Sequence, residues 1–292
     1  MAVTERLQHR AEQLAAALPP LLVASERVAA TIAQGVHGRR RVGLGETFWQ
    51  FRRYQPGDPV RMIDWRQSAK TQAVFVRETE WEAAQSIWLW RDASPSMHYR
   101  SRKDLQDKSE HADMLVLALA SLLIAAGENV ALLGTGHLPT SGRMAYNRFC
   151  HAVLAEVTET EGLPAIELLP RHGHVVWVGD LLAPLDDIKA RMAAYVSRGV
   201  HGHLVQVLDP AEETLPFKGR IRFQGLEGEA PTLIGRTDTV REEYAERMTT
   251  HQAGLKDLAR IFGWSYAVHR TDRPPQTALL ALYMALARIA GS

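Results

Sequence analysis

The sequence predicts an α/β protein: a doubly wound, mostly parallel sheet with a small β subdomain and helices before it. Three observations carry that prediction. From about residue 85 onward, apolar strand-like stretches alternate with longer helical runs, the succession that builds βαβ units. Strands such as Val175-Val176-Trp177-Val178 are apolar without alternation, as in a parallel sheet covered on both faces. The 292 residues, 46% hydrophobic and 23% charged, can bury a substantial core.

The elements follow in order. Residues 3–17 have helical spacing, with Leu7, Leu14 and Leu18 along one side, and Pro19-Pro20 interrupts them. A second helix is predicted over 21–34, stopping at Gly35. The run Gly38-Arg39-Arg40-Arg41-Val42-Gly43-Leu44-Gly45 reads as a basic, solvated linker, since no strand–loop–helix pattern frames its glycines. Residues 46–81 are dense in aromatic and charged side chains, and Pro56-Gly57 suits the centre of a type II turn. With a strand at 74–81, this stretch predicts a small irregular β subdomain. Strands are then predicted at 86–91, 129–134, 174–179, 202–208 and 264–269. Helices are predicted at 108–126, 144–157, 184–198, 238–262 and 275–289. Short strands near 221–223 and 232–234 suggest an antiparallel insertion within 216–236. The predicted organisation is helices over 1–37, the β subdomain over 38–84, and the α/β domain over 85–292.

Composition excludes several classes. A formal net charge of +1 offers no global electrostatic case for nucleic acid. The single cysteine, Cys150, excludes an intrachain disulfide framework and reads as a small buried apolar residue in a reducing compartment. Charged residues among the first eighteen break any signal-type apolar core. The longest apolar runs, Met114–Gly127 and Thr277–Ala290, fall short of the ~20 residues that span a bilayer. The expectation is a cytoplasmic chain without a transmembrane segment. No Walker A loop, nucleophile elbow or HExxH is present. His172/His174 and His201/His203 have i, i+2 spacing without the ligand partners a transition-metal site would need. His98 lies near Ser96, yet nothing marks it as an activated base.

The strand Trp88-Leu89-Trp90-Arg91 ends at Asp92, and Ser94 and Ser96 follow at alternate positions. One carboxylate and two hydroxyls at the carboxyl end of a strand suit a hard divalent ion such as Mg²⁺ or Mn²⁺. Waters or a partner's carboxylate would complete its coordination. Asp180, after Val178-Gly179, occupies the matching place on another strand. If the two strands are neighbours, Asp92 and Asp180 approach one crevice. The structural alternative is that Asp180 caps a helix starting near Pro184 while the serines close a tight turn.

Asp92-x-Ser94-x-Ser96 resembles the metal-ion-dependent adhesion site of von Willebrand factor A domains. The chain also resembles the bacterial family called domain of unknown function 58. Its signature is matched by the eighteen residues from Arg53-Tyr54-Gln55-Pro56-Gly57-Asp58 through Ile63-Asp64-Trp65-Arg66 to Lys70, and by Asp209-Pro210-Ala211-Glu212-Glu213-Thr214-Leu215-Pro216-Phe217. With the Asp92 loop and Asp180, the likeness runs from about 38 to 270. It implies a von Willebrand A-like, Rossmann-like fold and association with MoxR-type AAA+ ATPases in protein maturation or complex assembly. Adhesion-site domains add a threonine from another loop; Thr135, Thr140, Thr158 and Thr160 are all candidates here. The connection 158–173 is too short for a full helix.

Within the signature, Arg53, Asp58, Arg61 and Asp64 alternate in sign. Guanidinium forks could pair these carboxylates, with Trp65 packed beside them. The alternative is a partner-docking surface. Asp209-Pro210 reads as the start of a helix that could rim the same crevice. The combined reading is a non-enzymatic interaction module that holds Mg²⁺ or Mn²⁺ through Asp92, Ser94, Ser96 and Asp180. The alternatives are a metal-dependent hydrolase using Asp92 and Asp180, and a metal-free scaffold.

Overall fold

The computed structural model describes residues 41–43, 47–55, 58, 60–71, 73–81, 84–155, 162–223, 232–234 and 237–290. The helices predicted over 3–17 and 21–34, the Pro56-Gly57 turn, Thr158 and Thr160 lie outside the described residues. The chain divides into two compact units, one within Arg27–Ala84 and the other over Gln85–Leu286.

The first unit is a three-stranded antiparallel sheet. Strands β1 (Arg41–Gly43), β2 (Thr47–Arg53) and β3 (Phe75–Trp81) lie in the order β1-β3-β2. Residues 41–43, expected as linker, instead pair as an edge strand, Val42 opposite Glu80. Arginine and glycine carry no strand signal of their own; a free edge on β3 supplies the backbone partners. Helix α1 (Trp65–Ser68) starts at Asp64, whose carboxylate accepts from the Gln67 amide at 2.8 Å. The Ser68 hydroxyl accepts from the Phe75 amide at 2.8 Å and ties this turn to β3.

The second unit is the doubly wound α/β fold. Strands β4 (Ser86–Arg91), β5 (Asn129–Leu132), β6 (His174–Gly179), β7 (His201–Leu208) and β10 (Ser265–Arg270) form one sheet in the order β10-β7-β6-β4-β5. Every pairing in it is parallel. Successive side chains alternate between two cores, as strand geometry requires. One face carries Ile87, Leu89, Val176, Val178, Val205 and Val207 against helices α2 (Lys108–Ala125), α3 (Arg143–Val153) and α7 (Pro275–Ala290). The other carries Trp88, Trp90, Val175, Trp177 and Leu204 against α4 (Leu185–Val196) and α6 (Thr237–Phe262). Cys150 is buried in the first core and forms no disulfide. Strands β8 (Ile221–Phe223) and β9 (Thr232–Ile234) pair antiparallel outside the main sheet. Between β7 and β8 lies the short helix α5 (Pro210–Thr214).

Several boundaries differ from the sequence prediction by one to four residues, two of them for a local reason. Helix α3 ends at Val153 rather than 157, where the Arg91 guanidinium takes up the Val153 carbonyl at 2.7 Å. Strand β5 ends at Leu132, and the chain turns at Gly134, whose φ is +92°. Residues 162–170 form neither helix nor strand, as the length of that connection predicts. Among the described residues no helix is long and apolar enough to cross a membrane.

Candidate functional site

The strand order decides where a site forms. Chain order runs outward in both directions from the boundary between β4 and β6, which is the switch point of this sheet. The connections there diverge, and folds of this type place ligands beyond the carboxyl ends of two such strands. Asp92 follows β4 and Asp180 follows β6. The Asp92 amide donates to the Val178 carbonyl at 2.8 Å, so Asp92 lies directly beside Gly179. A Cβ on Gly179 would fall 2.6 Å from the Asp92 Cβ; only glycine admits the carboxylate there.

Local chemistry then sets the loop. Asp92 Oδ1 accepts from the Ser94 amide at 2.8 Å, an Asx turn, and Pro95 opens a single 3-10 turn that brings Ser96 round. The Ser94 and Ser96 hydroxyls are 3.0 Å apart, and Ser96 donates to Asp180 Oδ2 at 2.7 Å. Asp180 Oδ1 accepts from the Leu182 amide at 3.2 Å. Asp180 therefore does not cap α4, whose flanking residue is Pro184 with no side-chain cap. All four predicted residues, Asp92, Ser94, Ser96 and Asp180, come together in one cluster.

Two further residues join them. Lys108 opens α2 and is fully buried; its ammonium donates to Asp180 Oδ2 at 2.9 Å and to Glu212 Oε1 at 2.7 Å. Glu212 Oε2 accepts from the Asp209 amide at 2.8 Å, closing a capping box that starts α5. Asp209 Oδ2 accepts from the Ser101 amide at 2.9 Å, so the predicted helix start also fastens the loop after Ser96. Lys108 escapes sequence reasoning because it sits at the edge of an apolar helix. A lysine in a first helical turn, where cations are disfavoured, is the signal that could have found it.

Burial dominates the electrostatics. Asp92 is pushed up to about 6, first by burial and then by the neighbouring Asp180 charge, with Ser94 and Lys108 pulling the other way. Burial alone would lower Lys108, but Asp180 and Glu212 outweigh it and hold the ammonium charged above its ordinary range. Glu212 moves up because burial exceeds the pull of its single cation.

Asp92 Oδ2 is buried and accepts no hydrogen bond among the described residues. Gly162 stands next to it: a Cβ there would lie 3.4 Å from Oδ2 and 3.7 Å from the Ser94 hydroxyl, so glycine keeps that space clear. An orphaned carboxylate oxygen beside two hydroxyls fits a small oxygen-loving cation. Asp180 fits a direct-ligand role less well, because its oxygens already accept from Ser96, Lys108 and Leu182. Thr135 donates to the Leu132 carbonyl and Thr140 accepts from Arg148, so both hydroxyls are engaged along β5.

The signature residues sit differently from expectation. Arg52, not Arg53, grips Asp58 with two bonds of 3.0 and 2.9 Å, which lowers the Asp58 carboxyl. Arg53 is exposed, and the side chain of Arg61 lies outside the described residues. Asp64 serves as a helix cap. Trp65 is 64% exposed rather than packed. His174, His201 and His203 stack at the amino end of the sheet, with ring centroids 5.4 and 6.2 Å from that of His174. Among the described residues no group of three or more His, Cys, Asp or Glu is arranged to hold a metal.

Residues 50–254 match the family described as "Protein of unknown function DUF58". The chain belongs to that family. It is 26% identical over 279 residues to the uncharacterized protein Rv1480 of Mycobacterium tuberculosis, covering 89% of this chain and 86% of that one. The same figures hold for the uncharacterized protein Mb1516 of Mycobacterium bovis. Among solved structures, the conserved hypothetical protein BatB of Bacteroides thetaiotaomicron matches with a TM-score of 0.38 and 15% identity, over 72% of this chain and all of that one. An aerotolerance-related membrane protein of Bacteroides fragilis matches with a TM-score of 0.39 and 14% identity, over 70% of this chain and all of that one.

Proposed function

We propose that this DUF58 chain is a non-enzymatic, metal-dependent protein-interaction module of von Willebrand A-like type. In this reading it is a cytoplasmic adaptor that works with a MoxR-type AAA+ ATPase in protein-complex assembly or maturation. The observation that carries the metal is the buried Asp92 Oδ2, which accepts nothing among the described residues while Ser94 and Ser96 offer hydroxyl oxygens from the same loop. Asp92 would bind through Oδ2, and both serines would bind through oxygens held in place by the 3-10 turn. Asp180 orients Ser96 by accepting its hydrogen bond. A bound Mg²⁺ or Mn²⁺ supplies the positive charge that an acidic side chain of the partner would seek in a shielded crevice. In the separate signature unit, the exposed Trp65 supports a docking role, since large aromatics dominate binding energy at interfaces.

A second reading, the metal-free scaffold, is favoured by one observation: Lys108 already places a cation against Asp180 and Glu212. A titration of melting temperature with Mg²⁺ and Mn²⁺, wild type beside Asp92→Ala, separates the two. A ligand of the folded state alone raises stability by about 2.7 kcal/mol at a hundredfold excess over its dissociation constant. A saturable rise lost in Asp92→Ala supports metal binding. Flat curves in both proteins, with MoxR-type ATPase binding unchanged in chelator, support the scaffold. Turnover of a phosphoester or peptide that Asp92→Ala abolishes would overturn the non-enzymatic reading in favour of a hydrolase.

A further inference from the structure

Resting on the metal reading above, we propose that Lys108 is a built-in cation that withholds Asp180 from the metal and so sets the affinity of the site. Its placement is unfavourable twice over. A lysine at the first position of α2 opposes the helix dipole, and a fully buried ammonium has lost its water. Packing alone gives no reason for a charge here. The compensation comes from two carboxylates that reach it from separate strands, Asp180 after β6 and Glu212 after β7.

The hydrogen bonds show what this does to Asp180. Oδ2 accepts from Ser96 at 2.7 Å and from Lys108 at 2.9 Å, while Oδ1 accepts from the Leu182 amide. Ser96 has one proton and gives it to Asp180. The 3.0 Å contact between the serines must then be a bond from Ser94 to Ser96. The proton order Ser94 to Ser96 to Asp180 leaves lone pairs uncommitted on both hydroxyls. Asp180 thus acts as a positioning residue: it sets the serines and does not itself meet the metal. Among the described residues, the uncommitted anionic oxygen of the cluster is Asp92 Oδ2. A divalent ion there meets one carboxylate and a neighbouring ammonium, which repels it. The site is built to bind weakly by itself and to leave positions open for an acidic side chain from outside.

Mn²⁺ affinity of the full chain, measured by isothermal titration, tests this with two variants. Lys108→Met removes the cation. The double variant Lys108→Met/Glu212→Gln removes one positive and one negative charge together, so the formal charge of the cluster equals that of wild type. It also leaves fewer buried charges unpaired, which protects folding if Lys108→Met alone does not fold. The expected result is Mn²⁺ binding at least tenfold tighter in the double variant than in wild type, with Asp180→Asn in that background reversing the gain. Equal or weaker binding in the double variant, beside wild-type binding that Asp92→Ala abolishes, overturns the role of Lys108 and leaves the metal reading standing. Absence of Mn²⁺ binding in wild type and both variants overturns the metal reading and this inference with it.

Discussion

At the carboxyl end of the main sheet, Asp92, Asp180 and Glu212 gather round a single buried lysine. At the amino end of the same sheet, His174, His201 and His203 stack with His174 and His203 buried. Both ends bury titratable groups. His203 meets burial by staying neutral: it is depressed to about 3, by burial first and by its neighbouring histidines second. The carboxylates cannot all do so, because Lys108 keeps charge in the cluster. Asp92 is left with an orphaned oxygen and a carboxyl raised to about 6. A neutral ring nitrogen without a partner is a modest penalty, whereas an ionised carboxylate in that state is a large one. The carboxyl end thus holds a destabilising chemical arrangement that the amino end lacks. Strain of that kind concentrates where proteins bind ligands.

The sharpest way to break the comparison is Lys108→Ala. It leaves two buried carboxylates without their cation, and the expected loss is roughly 3–5 kcal/mol in urea denaturation. A loss under about 1 kcal/mol would show that the cluster is not a charged web. Next comes Asp92→Asn in chelator, which should stabilise the protein at pH 8 by on the order of 1–3 kcal/mol. The sign follows from a folded-state value of about 6 against 3.8 unfolded: the wild-type penalty is complete above pH 6 and vanishes as pH falls toward 4. Stability curves of the two proteins should therefore converge in acid; parallel curves would refute the raised carboxyl.

At the amino end the sign reverses. His203 takes its proton near 3 when folded and near 6.5 when unfolded, so the stability of its neutral form is intact above pH 6.5 and drains away as pH falls toward 3. Each such histidine contributes a slope of at most about 1.4 kcal/mol per pH unit. His203→Asn keeps a group facing Ser265 and should give a shallower acid limb between pH 6.5 and 4 in chemical denaturation. An unchanged slope would mean that another histidine, such as His269, dominates acid lability. The smallest stability effect is expected for Gly162→Ala. Its Cβ meets Asp92 Oδ2 at an ordinary contact distance, so stability should stay within about 0.5 kcal/mol while Mn²⁺ binding weakens. A large loss of stability would show a packed wall where the proposed metal would sit.

Much of this was readable from the chain. The five strands of the main sheet lie where apolar runs predict them, because a strand buried on both faces needs no distant information to be recognised. The turn that gathers Asp92, Ser94 and Ser96 is legible for a similar reason: an Asx turn and a Pro95 start are local chemistry. Other features were not. Arg52 rather than Arg53 grips Asp58, since the two alternate on opposite faces of β2 and sequence cannot say which face meets the loop. Trp65 was expected to pack and is exposed. Residues 41–43 became a strand only because β3 offered an edge.

The sequence by itself determined the succession of strands and helices, the two cores and the carboxylates at the ends of β4 and β6, because hydrophobic period and turn chemistry act over a few residues. Tertiary structure alone decided that β4 lies beside β6, which turns two separate carboxylates into one site. It also decided that Lys108 meets Asp180 across 72 positions and Glu212 across 104. No local pattern encodes a bond of that span; the strand order makes it, and burial gives it strength.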